Sequence, residues 1–212
     1  MSPKKLFVQL LLNKKKKSAF PLTNIAVLLV LRRAVVNRER ASGVYSILVY
    51  FLARTVVDSA ICIILPILFN GIIYYMAGLN PDASAFFTLI GTTILNALVA
   101  GSLFTMVGAL SPEPLVANVM SFVSAVIFML FSQFLVSTPI WWTYIEHLSL
   151  FKYSWAALMN NQFGGTPEGT LFLAQFQIGQ PNWSNFLAMA LLFVGFRVFG
   201  FLGMLFVNTE KR

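Results

Sequence analysis

The chain has 212 residues, of which 58% are apolar and only 10% charged, with Phe alone at 21 positions; soluble domains carry about 25% charged residues, so a water-soluble globular domain is excluded. A single His147 and a single Cys62 rule out a metal centre of three or four N/S ligands, a CxxC redox pair and an intrachain disulfide. The net charge of +8 is lopsided, with 11 of the 15 basic residues at or before Arg54. That asymmetry suits a membrane-orientation signal at least as well as a nucleic-acid tail, and no nucleic-acid partner is expected.

Residues 1–36 form a basic segment with no acidic residue before Glu39. Its two apolar stretches, residues 6–12 and 25–31, are seven residues each, well short of the roughly 20 needed to cross a ~30 Å hydrocarbon core. The segment lacks the long apolar core and small-residue cleavage site of a secretory signal. It reads as a solvated basic arm that reinforces topology or touches anionic lipid, with an organellar presequence as the alternative.

Residues 44–53 are expected to form an interfacial lead-in helix. A span beginning there would carry Arg54 toward mid-bilayer at a cost of about 2.5–3.5 kcal/mol, whereas Tyr45, Tyr50 and Phe51 suit the headgroup region and Arg54 can snorkel. Arg54 and Asp58, four apart, are expected to pair at the boundary in a structural role. Four membrane spans follow: residues 56–79, 86–110, 115–136 and 186–207. Gly78-Leu79-Asn80-Pro81-Asp82 is a turn by composition, and Ser111-Pro112-Glu113-Pro114 breaks the chain because each proline removes an N–H and clashes with the preceding turn. Lipid offers no partner for an open backbone, so every span is helical. The predicted fold class is all-α: a polytopic transmembrane helix bundle of four spans plus outer re-entrant or interfacial helices.

Small residues recur at helical intervals at Ala97, Gly101, Thr105 and Ala109, and again at Ala117, Ser121 and Ala125, which lets backbones approach closely. Packing within one chain is the preferred reading, with a dimer contact as the alternative. Phe122, Val126, Met129 and Gln133 form one stripe of the third span, and an amide among lipid tails is unfavourable, so the stripe is expected to face inward or toward a cavity.

All four tryptophans, Trp141, Trp142, Trp155 and Trp183, fall in residues 137–185 with Tyr144 and Tyr153, an aromatic belt on one membrane face. Residues 142–163 have amphipathic helical spacing, so short helices lying on or dipping into the outer leaflet are expected there. Asn182-Trp183-Ser184 matches the N-glycosylation pattern, making Asn182 a candidate acceptor. Arg197 sits eleven residues into the fourth span and must face protein, water or a partner; structural pairing is preferred to a transport role. Four spans place both ends on one side with nearly all the Lys and Arg. Both termini are therefore expected to be cytoplasmic, in a multi-pass protein of the plasma or an intracellular membrane.

No catalytic residue emerges. The sequence contains neither GxxxxGK[ST] nor any Gly-Lys pair nor GxSxG, and Glu146 and His147, being adjacent, point to different helix faces. The chain is not expected to be an enzyme.

Several segments together resemble the membrane domain of the G subfamily of ATP-binding cassette transporters, the white and breast-cancer-resistance type. They are Glu39-Arg40-Ala41-Ser42-Gly43-Val44-Tyr45-Ser46, Tyr50-Phe51-Leu52-Ala53-Arg54 with Asp58, Tyr75-Met76-Ala77-Gly78-Leu79, Ala85-Phe86-Phe87, Tyr144-Ile145-Glu146-His147-Leu148-Ser149 with Lys152-Tyr153, Ala157-Leu158, Asn161-Gln162-Phe163, and Gly195-Phe196-Arg197. The likeness covers about residues 36–212, dividing the chain into residues 1–36 without recognisable similarity and residues 37–212, a partial exporter membrane domain. It implies that the four spans match the family's third to sixth. Residues 38–45 would then meet the ATPase, with Glu39, Arg40 and Tyr45 in coupling roles; Phe122, Val126 and Met129 would wall the substrate path, and Phe134-Leu135 would form the apolar valve above it, beside Gln133.

The same resemblance implies ATP-driven export of lipidic or amphipathic substrates. ATP and Mg²⁺ would be bound by an ATPase domain supplied in trans, with the chain working as a homo- or heterodimer with another half-transporter in membrane lipid. The family's ATPase and first two spans have no counterpart in this sequence, so the expected alternative is a nontransporting protein that dimerises with full-length transporters and modulates them.

Overall fold

The computed structural model describes residues 25–42, 46–79, 82–132, 143–164 and 181–206, with a few positions between 169 and 178. Among the described residues seven helices have defined bounds: α1 (Ile25–Ala41), α2 (Ile47–Met76), α3 (Ala83–Leu110), α4 (Pro114–Leu130), α5 (Thr143–Leu148), α6 (Leu150–Phe163) and α7 (Asn182–Phe206). No strand occurs among the described residues. α2, α3 and α7 are long and apolar enough to cross a membrane, while α4 is apolar but shorter. Its 17 residues reach about 26 Å, and residues 133–136 of the predicted third span lie outside the described residues.

The expected interfacial lead-in is instead the first part of α2. Ser46 caps this helix by accepting the Val49 N–H at 3.4 Å, and no Gly or Pro interrupts it before Pro66, so nothing separates lead-in from span. The length resolves the apparent cost of Arg54. Thirty residues make a helix about 45 Å long, some 15 Å more than the hydrocarbon core, and Arg54 stands seven residues, about 10 Å, from its start. The helix spans while Arg54 stays near one edge, next to Asp58.

The turn after α2 falls where its composition predicted. Ala77 closes the helix, and Gly78 takes φ of 61°, a left-handed conformation that a β-carbon disfavours. α3 ends at Leu110 and α4 begins with Pro114 at its first turn, where a missing N–H costs nothing.

α3 is the central helix and packs against α1, α2, α4, α6 and α7. Its buried hydroxyls are satisfied by their own helix: Thr92 donates to Thr88 O at 2.7 Å, Ser102 to Val99 O at 2.7 Å and Thr105 to Gly101 O at 2.8 Å. They therefore bury without an interhelical partner. Small residues set the spacing, as the within-chain reading required. A β-carbon on Gly108 would lie 2.7 Å from Ala26 O, so α1 and α3 touch backbone to backbone; Gly200 faces the Met106 backbone across α3 and α7. Ala117 and Ala26 share a small cluster with Val30, joining α4 to α1.

The main core gathers Val99, Leu103, Leu150, Met189 and Phe196. Leu150 opens α6, whose far end donates Asn161 Nδ2 to Ala85 O at 2.8 Å, at the start of α3. α6 thus runs antiparallel to α3 from the core toward the α2–α3 turn, the path of a re-entrant helix. The short helices expected within residues 142–163 are α5 and α6, divided at Ser149, which stands at the N-cap position of α6 without a side-chain cap bond and instead donates its hydroxyl to Phe128 O on α4 at 2.6 Å. α7 starts at Asn182, four residues before the predicted span.

Candidate functional site

The span charges meet at one joint. α2 buries a narrow stripe of Ile47, Phe51, Asp58, Asn70 and Tyr74, with Arg54, Thr55 and Cys62 half-buried beside it, and leaves most of its other side chains apolar and exposed. On that stripe Arg54 Nε lies 3.3 Å from Asp58 Oδ2, with the two side chains only 11% and 10% exposed. Arg54 Nη2 makes a long 3.5 Å contact to the Ile25 carbonyl in the first turn of α1. From α7, Arg197 is 7% exposed and donates Nη1 to Thr55 Oγ1 at 3.1 Å across 142 residues of chain; its guanidinium stands 5.5 Å from the Phe193 ring. Cys62, one turn beyond Asp58, meets α3 at Gly101. Farther along the same stripe Asn70 donates to Thr93 on α3, an interhelical bond of the kind that holds helices together where lipid removes the hydrophobic drive.

The expected Arg54–Asp58 pair and the protein-facing Arg197 are thus parts of one cluster joining α1, α2 and α7. Their convergence was not foreseen from the sequence, although a signal existed. Arg54 lies seven residues after α2 begins and Arg197 nine before α7 ends, so two antiparallel spans carry them at similar depth.

On α4, Phe122, Val126 and Met129 are 71%, 40% and 47% exposed. The opposite face of that helix carries the small residues Ala117 and Ser121, so the bulky stripe is left uncovered by the chain's own described helices. Gln133, Phe134 and Leu135 lie outside the described residues, so the amide that argued for an inward face has no described place. Glu39 is exposed near the C-terminal end of α1, where Ser42 donates to its carbonyl at 2.9 Å. Arg40 belongs to the same helix, and Tyr45 lies outside the described residues. Asn182 occupies the first position of α7.

A second polar group, which sequence reasoning did not assemble, staples the break between α5 and α6. Glu146 is 3% exposed and pairs with Lys152 Nζ at 2.5 Å. One residue along, Tyr153 donates its hydroxyl to His147 O at 3.1 Å. Burial, and then the Glu146 carboxylate, push the Tyr153 phenol above its usual range, so it stays a donor. Two i,i+6 pairs flanking Ser149, a residue type favoured at helix starts, are the sequence signal for such a turn. Among the described residues no three His, Cys, Asp or Glu side chains converge into a metal site.

A protein-family model described as ABC-2 type transporter matches residues 18–163, taking in part of the segment for which the sequence alone suggested no likeness. The chain is 32% identical over 136 residues to ABC transporter G family member 7 of Arabidopsis thaliana, covering 63% of this chain and 19% of that protein. It is 29% identical over 206 residues to the Broad substrate specificity ATP-binding cassette transporter ABCG2 of Bos taurus, covering 85% and 32%. To Protein white of Ceratitis capitata it is 26% identical over 189 residues, covering 80% and 28%. The chain therefore spans less than a third of the length of each of these relatives.

Proposed function

We propose, from the premise that this chain belongs to the ABC-2 type transporter family and carries part of the membrane domain of its G-subfamily relatives, that it forms the permeation and coupling part of an exporter. The cargo class is lipidic or amphipathic, and both termini face the cytoplasm. ATP and Mg²⁺ are held by an ATPase domain in trans, and a second half-transporter completes the path.

The observation that carries this reading is the uncovered stripe of Phe122, Val126 and Met129 on α4. Bulky, flexible apolar side chains without a partner in their own bundle suit a surface closed by a second half-transporter, where apolar walls with few polar anchors accept many amphipathic ligands. Glu39 and Arg40, at the end of α1, take the push from the ATPase. α1 transmits it because its other end lies backbone to backbone against α3 and touches Arg54. Movement between inward-open and outward-open states then requires the bound nucleotide and the cargo to favour different states.

The test is reconstitution of this chain with an ATPase-bearing half-transporter in proteoliposomes, following ATP-dependent movement of a fluorescent amphipath. Glu39→Ala is expected to lower the amount transported per ATP hydrolysed. Phe122→Ala is expected to weaken apparent cargo affinity about tenfold, equivalent to about 1.4 kcal/mol, with coupling intact. Unchanged behaviour of both variants overturns the assigned roles. A chain that assembles and only depresses its partner's own transport supports the modulating, nontransporting alternative instead.

A further inference from the structure

Two guanidiniums and one carboxylate meet at the α2–α7 joint, and one ion pair is made among them. The charged or ionisable groups acting electrostatically on Arg197 are Asp58, Cys62 and Arg54, so with a neutral thiol the cluster carries one net positive charge. Inside a membrane-spanning bundle such a surplus is costly unless the donors are well used, and here they are used unevenly. Arg197 engages Nη1 with Thr55, while its Nε and Nη2, the two N–H groups of its side-on fork, are buried without a hydrogen-bond partner. Asp58 Oδ2, though 3.3 Å from Arg54 Nε, makes no aligned hydrogen bond. A guanidinium fork matches a carboxylate bidentately.

Thr55 and Asp58 are three apart on α2, hence neighbours on one helix face separated by about 4.5 Å along the axis. A slide of α7 along α2 by that distance carries the Arg197 guanidinium from the Thr55 hydroxyl to the Asp58 carboxylate. Packed helices shift between discrete seats of this kind rather than deforming continuously.

We propose that Asp58 is a two-seat latch: Arg54 holds it in the arrangement described here, and Arg197 takes it over in a second arrangement of α2 and α7 displaced by about one turn. Each arrangement keeps one ion pair and strands one guanidinium on weaker partners, so the charge terms of the two nearly balance, as a bistable element requires, provided that α3, on which Gly200 and Met189 of α7 pack, moves with α7. The latch is a property of this joint and holds whether or not the chain moves a cargo.

Thermal unfolding of the full chain in lipid nanodiscs tests it, with Arg54→Gln, Arg197→Gln, the double variant, and the double variant with Asp58→Asn added. Each single substitution is expected to lower the midpoint modestly, because the remaining arginine serves Asp58. The double variant should lose more than the sum of the two, and adding Asp58→Asn should restore most of that loss. An additive double variant, or an Arg54→Gln variant as unstable as the double, overturns the proposal. Should the double variant fail to fold, maleimide labelling of Cys62, the chain's single cysteine, decides. Arg54→Gln is expected to change the labelling rate several-fold as the joint re-seats, with Arg197→Gln near the parent; rates equal in all three overturn the latch.

Discussion

Replacing Gly108 by alanine isolates the contact that ties α1 to the bundle. The added β-carbon would stand 2.7 Å from Ala26 O and 2.8 Å from Ala26 Cα, distances at which helix backbone, not a flexible side chain, has to move. Overpacking of this kind costs about 1–3 kcal/mol, while alanine in a helix interior is favoured over glycine by about 0.5–1 kcal/mol. Gly91→Ala is the internal control, because a β-carbon there meets nothing within 4 Å and only the propensity gain remains. Propensity cancels in the comparison, leaving a gap of about 1–3 kcal/mol between the two variants. For a chain of this size that corresponds to a midpoint difference of about 2–12 °C, read by thermal unfolding of the full chain in detergent or nanodiscs. Since α1 carries Glu39 and Arg40 at its other end, Gly108→Ala should also lower transport coupling in the reconstituted complex. Equal midpoints for Gly108→Ala and Gly91→Ala would refute the close approach of α1 and α3 and the route assigned through it.

Two further outcomes follow from the packing and the α5–α6 turn. Met189 is fully buried against Val99, Leu103, Leu150 and Phe196, so Met189→Ala should destabilise by about 2 kcal/mol, the low end for such truncations because lipid replaces water as the reference solvent; Leu191→Ala, at a position 65% exposed, should change the midpoint little. Tyr153 ionises less readily in the folded chain than its ordinary value of 10.0. Its contribution to stability is therefore intact below about pH 10 and is lost as pH rises through the folded value. Tyr153→Phe should show a shallower alkaline loss of stability than the parent between pH 9 and 12, and identical alkaline profiles would remove Tyr153 from the turn's energetics.

Much of the candidate site was legible because its residue types are anomalous where they stand. A guanidinium in an apolar run announces that it needs company, and Arg54, Asp58 and Arg197 were singled out for that reason. Periodicity placed Phe122, Val126 and Met129 on one side of α4, which the chain's own described helices leave exposed; the argument for an inward face leaned on Gln133, which lies outside the described residues. What escaped was the company itself. Thr55 as the acceptor for Arg197, and Lys152 as the partner of Glu146 across the Ser149 break, depend on how two helices are placed, not on spacing within one. The lead-in helix misread the same physics: the cost of Arg54 was weighed for an isolated arginine, whereas the folded chain supplies Asp58, the Ile25 carbonyl and a helix longer than the bilayer.

By itself the amino-acid order determined the fold class, a bundle of helices in a membrane, where the described helices turn, and which faces are small enough to pack. Each of those properties follows from local terms: apolar length against bilayer thickness, proline and glycine at breaks, and backbone groups that lipid cannot satisfy. Only the tertiary structure decided that α1 is part of the bundle, that α6 dips between α3 and α7, and that three charges from two spans share one joint. Lipid is equally apolar on every side and so gives no preference among helix pairings; register and partner choice rest on close packing at glycine and alanine and on a few polar contacts, which exist only once the helices have met.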